Sequence, residues 1–329
     1  MQTAPSPVTP SEVSQAAIMR RRYRLGLLAA LLGAVLFSAK AIIVKLSYRY
    51  NVDAETQLAM RMGLALPFFG LLLLWDSYRQ RVKGAQLQTA KPYPKGWRAI
   101  GQLVIVGLLG YYAASYLDFL GLQHISAALE RLILFLYPTL VLLFSRWWFA
   151  KPIRREQWWA LLISYAGIGF VFIHDVQLGG ATVVLGAMLV FASAICYALY
   201  LVFCGELVSR YGSLRLTVMA TTVAALACLI QFFLLRGAAG WMTVLAYPWP
   251  VYGLALVNAF FCTVLPVNLT MLAIAYCGAG VTSQTGMVGP LATIVLGALL
   301  LGEPISVWQL VGAAVVLLGI YLLSRYRFQ

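Results

Sequence analysis

Long apolar runs alternate with short polar segments along almost the whole chain. The runs reach about 20 residues, the length that an α-helix needs to cross the hydrocarbon core of a bilayer. This pattern predicts ten spanning helices and therefore an all-α integral membrane protein. The predicted spans are residues 25–47, 55–75, 98–119, 124–145, 157–174, 181–204, 213–235, 250–274, 280–301 and 307–323.

The second half of the chain repeats the first at an offset of 152 residues, without a gap over about 50 residues. The aligned pairs include Ala127/Ala279, Pro138/Pro290, Gln157/Gln309 and Gly167/Gly319. The first helix of each half aligns more weakly, as GAVLFSAKAI with GAMLVFASAI. Because each half holds five spans, an odd number, the second half is predicted to enter the membrane from the opposite side. Inverted repeats with a site near the midplane are a recurring plan of transporters.

This repeat divides the chain into two membrane units with short ends. The predicted segments are a polar N-terminal tail (1–24), a first repeat (25–174), a second repeat (181–323) and a C-terminal end (324–329). No small-residue cleavage site follows a short apolar core at the N-terminus, so a removable signal peptide is not predicted.

Composition supports the membrane interpretation. Hydrophobic residues make up 62% of the chain and charged residues 10%, against about 45–50% and 25% in soluble domains. Tryptophan concentrates near the predicted span ends, where an interfacial aromatic belt is expected. The nine positions are Trp75, Trp97, Trp147, Trp148, Trp158, Trp159, Trp241, Trp249 and Trp308.

The net charge of +14 is distributed unevenly between the two sides. The segments on the side of the termini, with the adjoining span ends, hold 18 Lys and Arg residues, and the opposite segments hold two. This asymmetry matches the positive-inside rule and predicts that both termini are cytoplasmic, in the inner or plasma membrane. The alternative explanation of the charge is a basic patch for nucleic acid or anionic lipid.

Other function classes find little support in the residue pattern. The five cysteines lie in or beside apolar helices without a CxxC pair, so neither a metal site nor a disulfide is indicated, and no cofactor is predicted. No HExxH or P-loop motif suggests an enzyme. The longest loop, residues 76–97, is too short for the output domain of a receptor.

The segment YCGAGVTSQTGMVGPLATIVLGALLLGEPISVWQLVGAAVVLLGIYLL, residues 276–323, resembles the closing part of EamA-type drug/metabolite transporters. The matching features are Ala279, Gly289-Pro290, Gly302-Glu303-Pro304, Gly312 and Gly319. Arg61 in LAMRMGLAL is similar to an arginine common early in that family's second helix. The resemblance implies ten helices in two five-helix repeats around a central cavity for small organic solutes, often exported metabolites. The first repeat departs from the pattern with FAKPIRR, where the family often has a Gly-Glu corner.

Charged and titratable residues inside the spans are the main functional clue. A charge at the bilayer centre costs roughly 2.5–3.5 kcal/mol on insertion scales, so such residues usually face a cavity or a partner. They are predicted to lie together in the outer half of the first repeat, as Lys40, Lys45, Arg61, Asp118, His124, Glu130 and Arg131. Histidine aside, cations exceed anions by two. This surplus suits the carboxylate of an amino acid or organic acid.

The roles of these charges stay open between function and structure. Lys40, Arg61, Glu130 and Arg131 are candidates for substrate binding or coupling, and the alternative is an ion-pair network of the folded state. Glu130 is also a candidate carrier of a coupling proton. Since adjacent helical residues point about 100° apart, we expect one of Glu130 and Arg131 to line the cavity and the other to pair with a neighbouring helix. Asp118 and Lys45 lie close enough to span ends to snorkel.

Further candidates are polar side chains and helix-breaking positions. Those for hydrogen bonding in a cavity are Tyr111, Tyr197, Asn258 and Gln284, each of which alternatively holds helices together. Those for helix kinks and gating are Pro138, Pro290, Gly286 and Gly289. Proline removes a backbone hydrogen bond and bends a helix, while glycines at regular spacing permit close packing or sliding.

These features predict a transporter that works by alternating access and exports amino acids or related carboxylates. Its expected partners are the small-molecule substrate, the lipid bilayer and a coupling proton, with no nucleic acid, and it is expected to act as a monomer or homodimer. Transport of phosphorylated sugars, nucleotides or drug-like cations is the alternative, followed by a membrane-embedded enzyme or a receptor.

Overall fold

The structure, a computed structural model, describes residues 10–82, 97–149, 155–211 and 213–327. All regular secondary structure in these ranges is helical. The α-helices are α1 (Pro10–Tyr48), α2 (Ala54–Val82), α3 (Trp97–Gly107), α4 (Ala114–Leu122), α5 (Ala127–Leu134), α6 (Tyr137–Phe149), α7 (Arg155–Gly179), α8 (Ala181–Tyr211), α9 (Ser213–Ala246), α10 (Trp249–Ala259), α11 (Leu265–Gly286), α12 (Val288–Leu296) and α13 (Val307–Arg327). Three π-helical segments extend or join them, at Leu108–Ala113, Phe260–Val264 and Gly297–Leu301.

Eight helical stretches within the described residues are long and apolar enough to cross a membrane. They are Ile18–Tyr48, Ala54–Trp75, Trp97–Leu122, Ala127–Trp148, Arg155–Gly179, Ala181–Cys204, Arg215–Gly237 and Trp249–Cys277. The ninth and tenth predicted spans correspond to shorter apolar helices, Val288–Leu301 and Val307–Leu322. The chain is thus an all-helical, multi-pass membrane protein, and the full number of ten spanning helices stays a prediction.

Two helix boundaries differ from the sequence prediction. α1 begins at Pro10, inside the predicted polar tail, at a position in the first turn that tolerates proline because its missing N–H would be unpaired there. The predicted break at residues 275–279 is wrong, because α11 continues to Gly286 and the interruption falls at Met287. A proline ring clashes with the carbonyl four residues earlier, and Gly286 stands four residues before Pro290.

Local irregularities recur at the offset of 152 residues. The π-helical segment that begins at Leu108 has its counterpart at Phe260. α5 ends at Leu134, four residues before Pro138, just as α11 ends four residues before Pro290. Matched deviations from regular helix, and not only matched residues, therefore relate the two halves.

The contacts where α7 crosses α13 are related in pairs, as a two-fold axis would relate them. A side-chain carbon at Gly167 would lie 2.9 Å from the carbonyl oxygen of Gly312, and one at Gly319 would lie 2.8 Å from that of Ala160. The offset of 152 exchanges these two contacts, since it maps Gly167 onto Gly319 and Ala160 onto Gly312. Absent side chains let the two backbones touch, as small residues do in membrane helix pairs.

The connections at the far ends of α1, α4, α7, α9 and α12 meet at one face, which we call the distal face (residues 45–53, 124–127, 174–180, 247–249 and 301–306). The Tyr247 hydroxyl donates to the Asn51 carbonyl at 3.4 Å, and the Ser126 hydroxyl donates to the Asp175 carboxylate at 3.1 Å. The opposite face, which carries the start of α1, is called the terminal face. α1 runs from one face to the other against helices of both repeats, so its side chains reach both.

Candidate functional site

Three helices of the first repeat bring a lysine and two acids together in the interior. Lys40 of α1 lies 2.5 Å from the Asp118 carboxylate of α4, measured from Nζ to Oδ2. The same Nζ lies 3.9 Å from Oε1 of Glu130 on α5, beyond hydrogen-bond distance. All three are buried, at 6%, 1% and 0% exposure. Lys40 therefore forms its hydrogen-bonded ion pair with Asp118, and the Glu130 carboxylate lies next to this pair without a hydrogen bond to Lys40.

Two phenyl rings separate the three buried cations. The Phe119 ring lies 5.9 Å from the Lys40 ammonium and 4.9 Å from the Arg61 guanidinium. The Phe37 ring lies 5.6 Å from the same ammonium and 5.0 Å from the Arg131 guanidinium. A ring face attracts a cation electrostatically, so the row Arg61–Phe119–Lys40–Phe37–Arg131 holds three positive charges close together. We call these five residues, with Asp118 and Glu130, the charged cluster.

Serine hydroxyls orient the two arginines. Arg61 donates from Nη2 to the Ser115 hydroxyl at 2.8 Å, and Arg131 donates from Nη2 to the Ser38 hydroxyl at 2.9 Å. Ser38 is itself within hydrogen-bond distance of the Gly289 carbonyl, at 3.0 Å. Arg131 thus binds Ser38 of α1 and is linked through this serine to α12 of the second repeat. Its neighbour Glu130 instead faces Lys40.

Several buried polar atoms of the cluster have no hydrogen-bond partner within the described residues. The donors are Nε of Arg61 and Nε of Arg131, and the acceptors are Oδ1 of Asp118 and both carboxylate oxygens of Glu130. A buried unpaired polar group costs about 1–3 kcal/mol, and more when it is charged. Donors and acceptors without partners in one place are the feature expected of a site that completes its hydrogen bonds with a polar ligand.

A row of aromatic rings continues from the cluster toward the second repeat. The Arg131 guanidinium lies 5.6 Å from the Phe135 ring, which meets Tyr137 at 6.5 Å between centroids. Tyr137 contacts Tyr197 of α8 at 5.3 Å. The row then passes through Tyr200, whose hydroxyl donates to that of Tyr111 at 3.2 Å. The predicted residues Tyr111 and Tyr197 therefore lie in one aromatic row between the repeats.

The other predicted polar residues are less connected. Asn258 is fully buried on α10, and neither of its amide atoms has a partner within the described residues. Gln57 of α2, which its sequence context did not single out, is also fully buried, and neither of its amide atoms has a hydrogen-bond partner within the described residues. The side chain of Gln284 lies outside the described residues. Asn258 and Gln57 are thus further polar groups available to a ligand, without a demonstrated contact to the cluster.

The helix-breaking positions lie beside the cluster. Gly289 is buried, and a side-chain carbon there would lie 3.1 Å from the Phe135 ring and 3.2 Å from the Ser38 hydroxyl. Among the described residues, no atom beyond the neighbouring turns of its own helix lies within 4 Å of such a carbon at Gly286. The interruptions before Pro138 and Pro290 therefore flank the point where α1, α5 and α12 meet.

Two expectations about the intramembrane charges need correction. Asp118 does not snorkel, because α4 packs among α1, α5 and α8 and leaves it 1% exposed against Lys40. Lys45 lies outside the charged cluster, because its Nζ pairs at 2.7 Å with Oε1 of Glu303 in the second repeat. His124 lies against Gly186 of α8 at the distal end. The cluster itself therefore carries three cations and two acids.

The pair Lys45–Glu303 joins the two repeats at the distal face. Glu303 also lies 3.4 Å from the backbone N–H of Ala127 at the start of α5, and both ion-pair side chains are about one-fifth exposed, at 22% and 21%. A second ionic contact between the repeats lies nearby, from Arg236 to Asp53 at 2.9 Å and to Glu55 at 3.6 Å. Ion pairs therefore join the two repeats at the distal face.

The cluster is enclosed, and two cavities of the protein lie away from it. One, of about 280 Å³, is lined by apolar residues of α2 and α9 such as Met60 and Leu229. The other, of about 710 Å³, lies at the terminal face beside Arg22 and Tyr276. No residue of the charged cluster lines either cavity.

Sequence reasoning missed the neutral partners of the charges. Phe37, Ser38, Ser115 and Phe119 are ordinary residues of apolar spans, and nothing in their spacing distinguishes them from residues that face lipid. Glu303 and Lys45 each stood out in the sequence, the first in the Gly-Glu-Pro corner and the second as a charge within a span, but no sequence signal indicated that they pair. Membrane helices are apolar on every face, so their pattern does not reveal which face meets a neighbour.

Comparisons with known proteins agree with this architecture. The model of the EamA-like transporter family matches residues 24–173 and again residues 184–325. An uncharacterized transporter of Bacillus subtilis (strain 168), YcbK, is 32% identical over 305 residues, covering 89% of this chain and 90% of that protein. A second from the same organism, YyaM, is 24% identical over 269 residues, or 80% and 81% of the two chains.

A solved structure described as "Crystal structure of protein" has a similar fold. Its TM-score is 0.54 at 17% sequence identity, and the likeness covers 92% of this chain and 99% of that one. The family match over both halves confirms the resemblance drawn from residues 276–323.

Proposed function

This chain belongs to the EamA-like transporter family, and we propose that it exports small carboxylate-bearing metabolites, amino acids first, by alternating access. In this proposal the terminal face lies in the cytoplasm of the inner or plasma membrane and the distal face lies outside. The charged cluster binds the substrate between the two repeats.

The observation that carries the substrate class is the set of unpaired polar atoms in the cluster. Within the described residues, Arg61 and Arg131 each have an Nε donor without a hydrogen-bond partner, and Glu130 has two acceptors without one. A carboxylate accepts from guanidinium groups and an ammonium group donates to a carboxylate, in both cases through charge-assisted hydrogen bonds. A zwitterionic amino acid offers both groups on one small molecule, and thus complements donors and acceptors that are buried together.

The balance of charge favours this class over the alternatives. With both acids ionised, the five charged side chains of the cluster sum to +1, and Lys40 is already paired with Asp118. A phosphorylated sugar or nucleotide would bring two or more negative charges and leave Glu130 facing phosphate. A lipophilic cation would meet three buried cations. A singly charged carboxylate, with or without an amine, matches the site better than either.

Alternating access is supported by the contacts between the repeats. At the distal face Lys45 and Glu303 close the gap between α1 and the end of α12. At the equivalent positions of the other half stand Ala198, from the alignment of the first helices, and Lys151, from the offset of 152. An alanine and a lysine cannot form an ion pair, so the Lys45–Glu303 contact is not repeated at the equivalent positions. It favours the state in which the distal face is closed.

Neutralising either partner of the Lys45–Glu303 pair should open the distal face. The reporter is Ala127→Cys in a background without the five native cysteines. We expect Lys45→Gln or Glu303→Gln to raise the rate at which this cysteine is labelled by about fivefold, because an ion pair of this exposure is worth about 1 kcal/mol. A membrane-impermeant maleimide measures the rate. The swap Lys45→Glu with Glu303→Lys should return it toward the starting value. Equal labelling in all variants would show that the pair is not a gate.

Ligand stabilisation of the purified protein tests the substrate class. Amino acids, organic acids, phosphorylated sugars, nucleotides and lipophilic cations are added singly, and a ligand at a hundredfold excess over its Kd should stabilise the folded state by about 2.7 kcal/mol. We expect the stabilisation with a carboxylate ligand to be lost in Arg61→Gln. It should persist in Arg98→Gln, which removes an exposed arginine at the start of α3.

The ligands that stabilise the protein then select the transport assay in proteoliposomes. Stabilisation by cations or phosphorylated compounds, without a response to any carboxylate, would overturn the proposed substrate class but not the family. A carboxylate response that survives in Arg61→Gln would separate the substrate class from this residue.

A further inference from the structure

A groove at the terminal face is unrelated to the charged cluster. It has a volume of about 710 Å³ and lies between residues 19–24 of α1 and the region of Tyr276 on α11. Arg20, Arg22 and Arg24 line it from α1, together with Tyr23. All four side chains are exposed, and so is Tyr276.

The floor of the groove is a tight helix contact. A side-chain carbon at Gly26 would lie 2.7 Å from Sγ of Cys277 and 2.8 Å from Cβ of Tyr276. Arg22 stands one turn before Gly26, so its side chain projects just beyond the point where the two backbones touch. The shape of the groove is therefore set by packed helices.

The positive charge of the groove has no counter-charge on the segments that form it. The chain has no aspartate or glutamate between Glu12 and Asp53, nor between Glu206 and Glu303. Three arginines without an acid on either wall present guanidinium donors to an anion, and guanidinium groups match the oxygens of phosphate in geometry. An anionic group is the complementary occupant.

An exposed apolar side chain lies next to the groove on α11. Leu272 precedes Tyr276 by four residues, on the same face of the helix. It is 40% exposed and lies within a candidate membrane span. An occupant that fits both parts has a phosphate at one end and a hydrocarbon chain at the other.

We propose that this groove binds the headgroup of an anionic phospholipid, with an acyl chain along Leu272. Basic residues directly beside a membrane span attract anionic lipids, at about 1 kcal/mol per Lys or Arg near the surface. The phosphodiester accepts hydrogen bonds from Arg20, Arg22 and Arg24. The site stands on its own observations and does not depend on what the transporter carries.

Lipid titration of the full-length protein in detergent micelles tests this site. Native mass spectrometry counts bound phosphatidylglycerol and, separately, phosphatidylcholine. The wild type should prefer phosphatidylglycerol, and the triple variant Arg20→Gln, Arg22→Gln, Arg24→Gln should lose about tenfold or more of that affinity. The matched control is Arg98→Gln, Arg146→Gln, Arg155→Gln, which removes three exposed arginines at other helix ends near the terminal face and should bind phosphatidylglycerol like the wild type.

Three results would overturn the proposal. The first is no preference for phosphatidylglycerol in the wild type, and the second is an equal loss in both triple variants, which would indicate diffuse charge attraction. The third is full displacement of the lipid by inorganic phosphate at equal concentration, which would make the groove a site for free phosphate. If the triple variant does not purify folded, the single change Arg22→Gln provides the same comparison, with an expected loss of about fivefold.

Discussion

Replacing Lys40 with methionine is expected to destabilise the folded protein by about 3–5 kcal/mol, because it leaves the Asp118 carboxylate as an unpaired buried charge. Both side chains of this ion pair are almost fully buried, at 8% and 2% exposure, so water does not take over the lost interaction. The free energy of unfolding, measured by titration with denaturing detergent in mixed micelles, reports the loss.

Two controls identify the unpaired charge as the cause. The double variant Lys40→Met with Asp118→Asn removes both charges and should recover most of the lost stability, since removing a buried pair together is often nearly neutral. Lys45→Met breaks the more exposed pair with Glu303 and should cost no more than about 1 kcal/mol. If Lys40→Met is as mild as Lys45→Met, the pair with Asp118 does not hold the cluster together.

Glu130→Gln is expected to lower transport by about 10- to 150-fold, which corresponds to the loss of a charge-assisted hydrogen bond of 1.5–3 kcal/mol to the substrate. Folding should change little, because both Glu130 oxygens lack a hydrogen-bond partner within the described residues and glutamine keeps the shape of the side chain. Uptake into proteoliposomes of a ligand found in the stabilisation screen measures the effect. The matched control is Glu156→Gln, an exposed acid at the start of α7, which should transport normally.

The same variant separates two roles of Glu130. If the carboxylate binds the substrate amine, substrate exchange and proton-driven accumulation should fail together. If it carries a coupling proton, exchange of substrate across the membrane should persist while accumulation driven by a proton gradient is lost. Normal rates in both assays would remove Glu130 from the mechanism and leave it a structural residue.

Much of the architecture was predictable because lipid imposes a simple rule on sequence. A spanning segment must be apolar and helical to satisfy its backbone without water, so the helical membrane class and most span positions follow from hydropathy alone. The duplication was visible as well, through matched prolines and glycines such as Pro138/Pro290. The break near α12 was misplaced, because a small-residue segment resembles a loop, whereas Pro290 acts on the carbonyl four residues before it.

The charged cluster was predictable only in outline. Lys40, Arg61, Glu130 and Arg131 stood out because charges inside apolar spans are rare and costly. Their pairings did not stand out. Asp118 and Lys45 were both predicted to lie with the other charges and close enough to span ends to snorkel, but Asp118 is buried against Lys40, whereas Lys45 is partly exposed beside Glu303. The first depends on how α4 packs, and the second on the approach of Glu303 from the other repeat.

The sequence by itself determined the family, the helical membrane class, the duplication and the buried charges that need an explanation. Only the tertiary structure decided that Lys40 pairs with Asp118, that Phe37 and Phe119 separate the cations, and that Lys45 pairs with Glu303 at the distal face. The physical reason is the solvent. In water a helix marks its packed face with apolar residues, but in lipid the packed and exposed faces are both apolar, so the pairing of faces is settled by shape and hydrogen bonding in three dimensions.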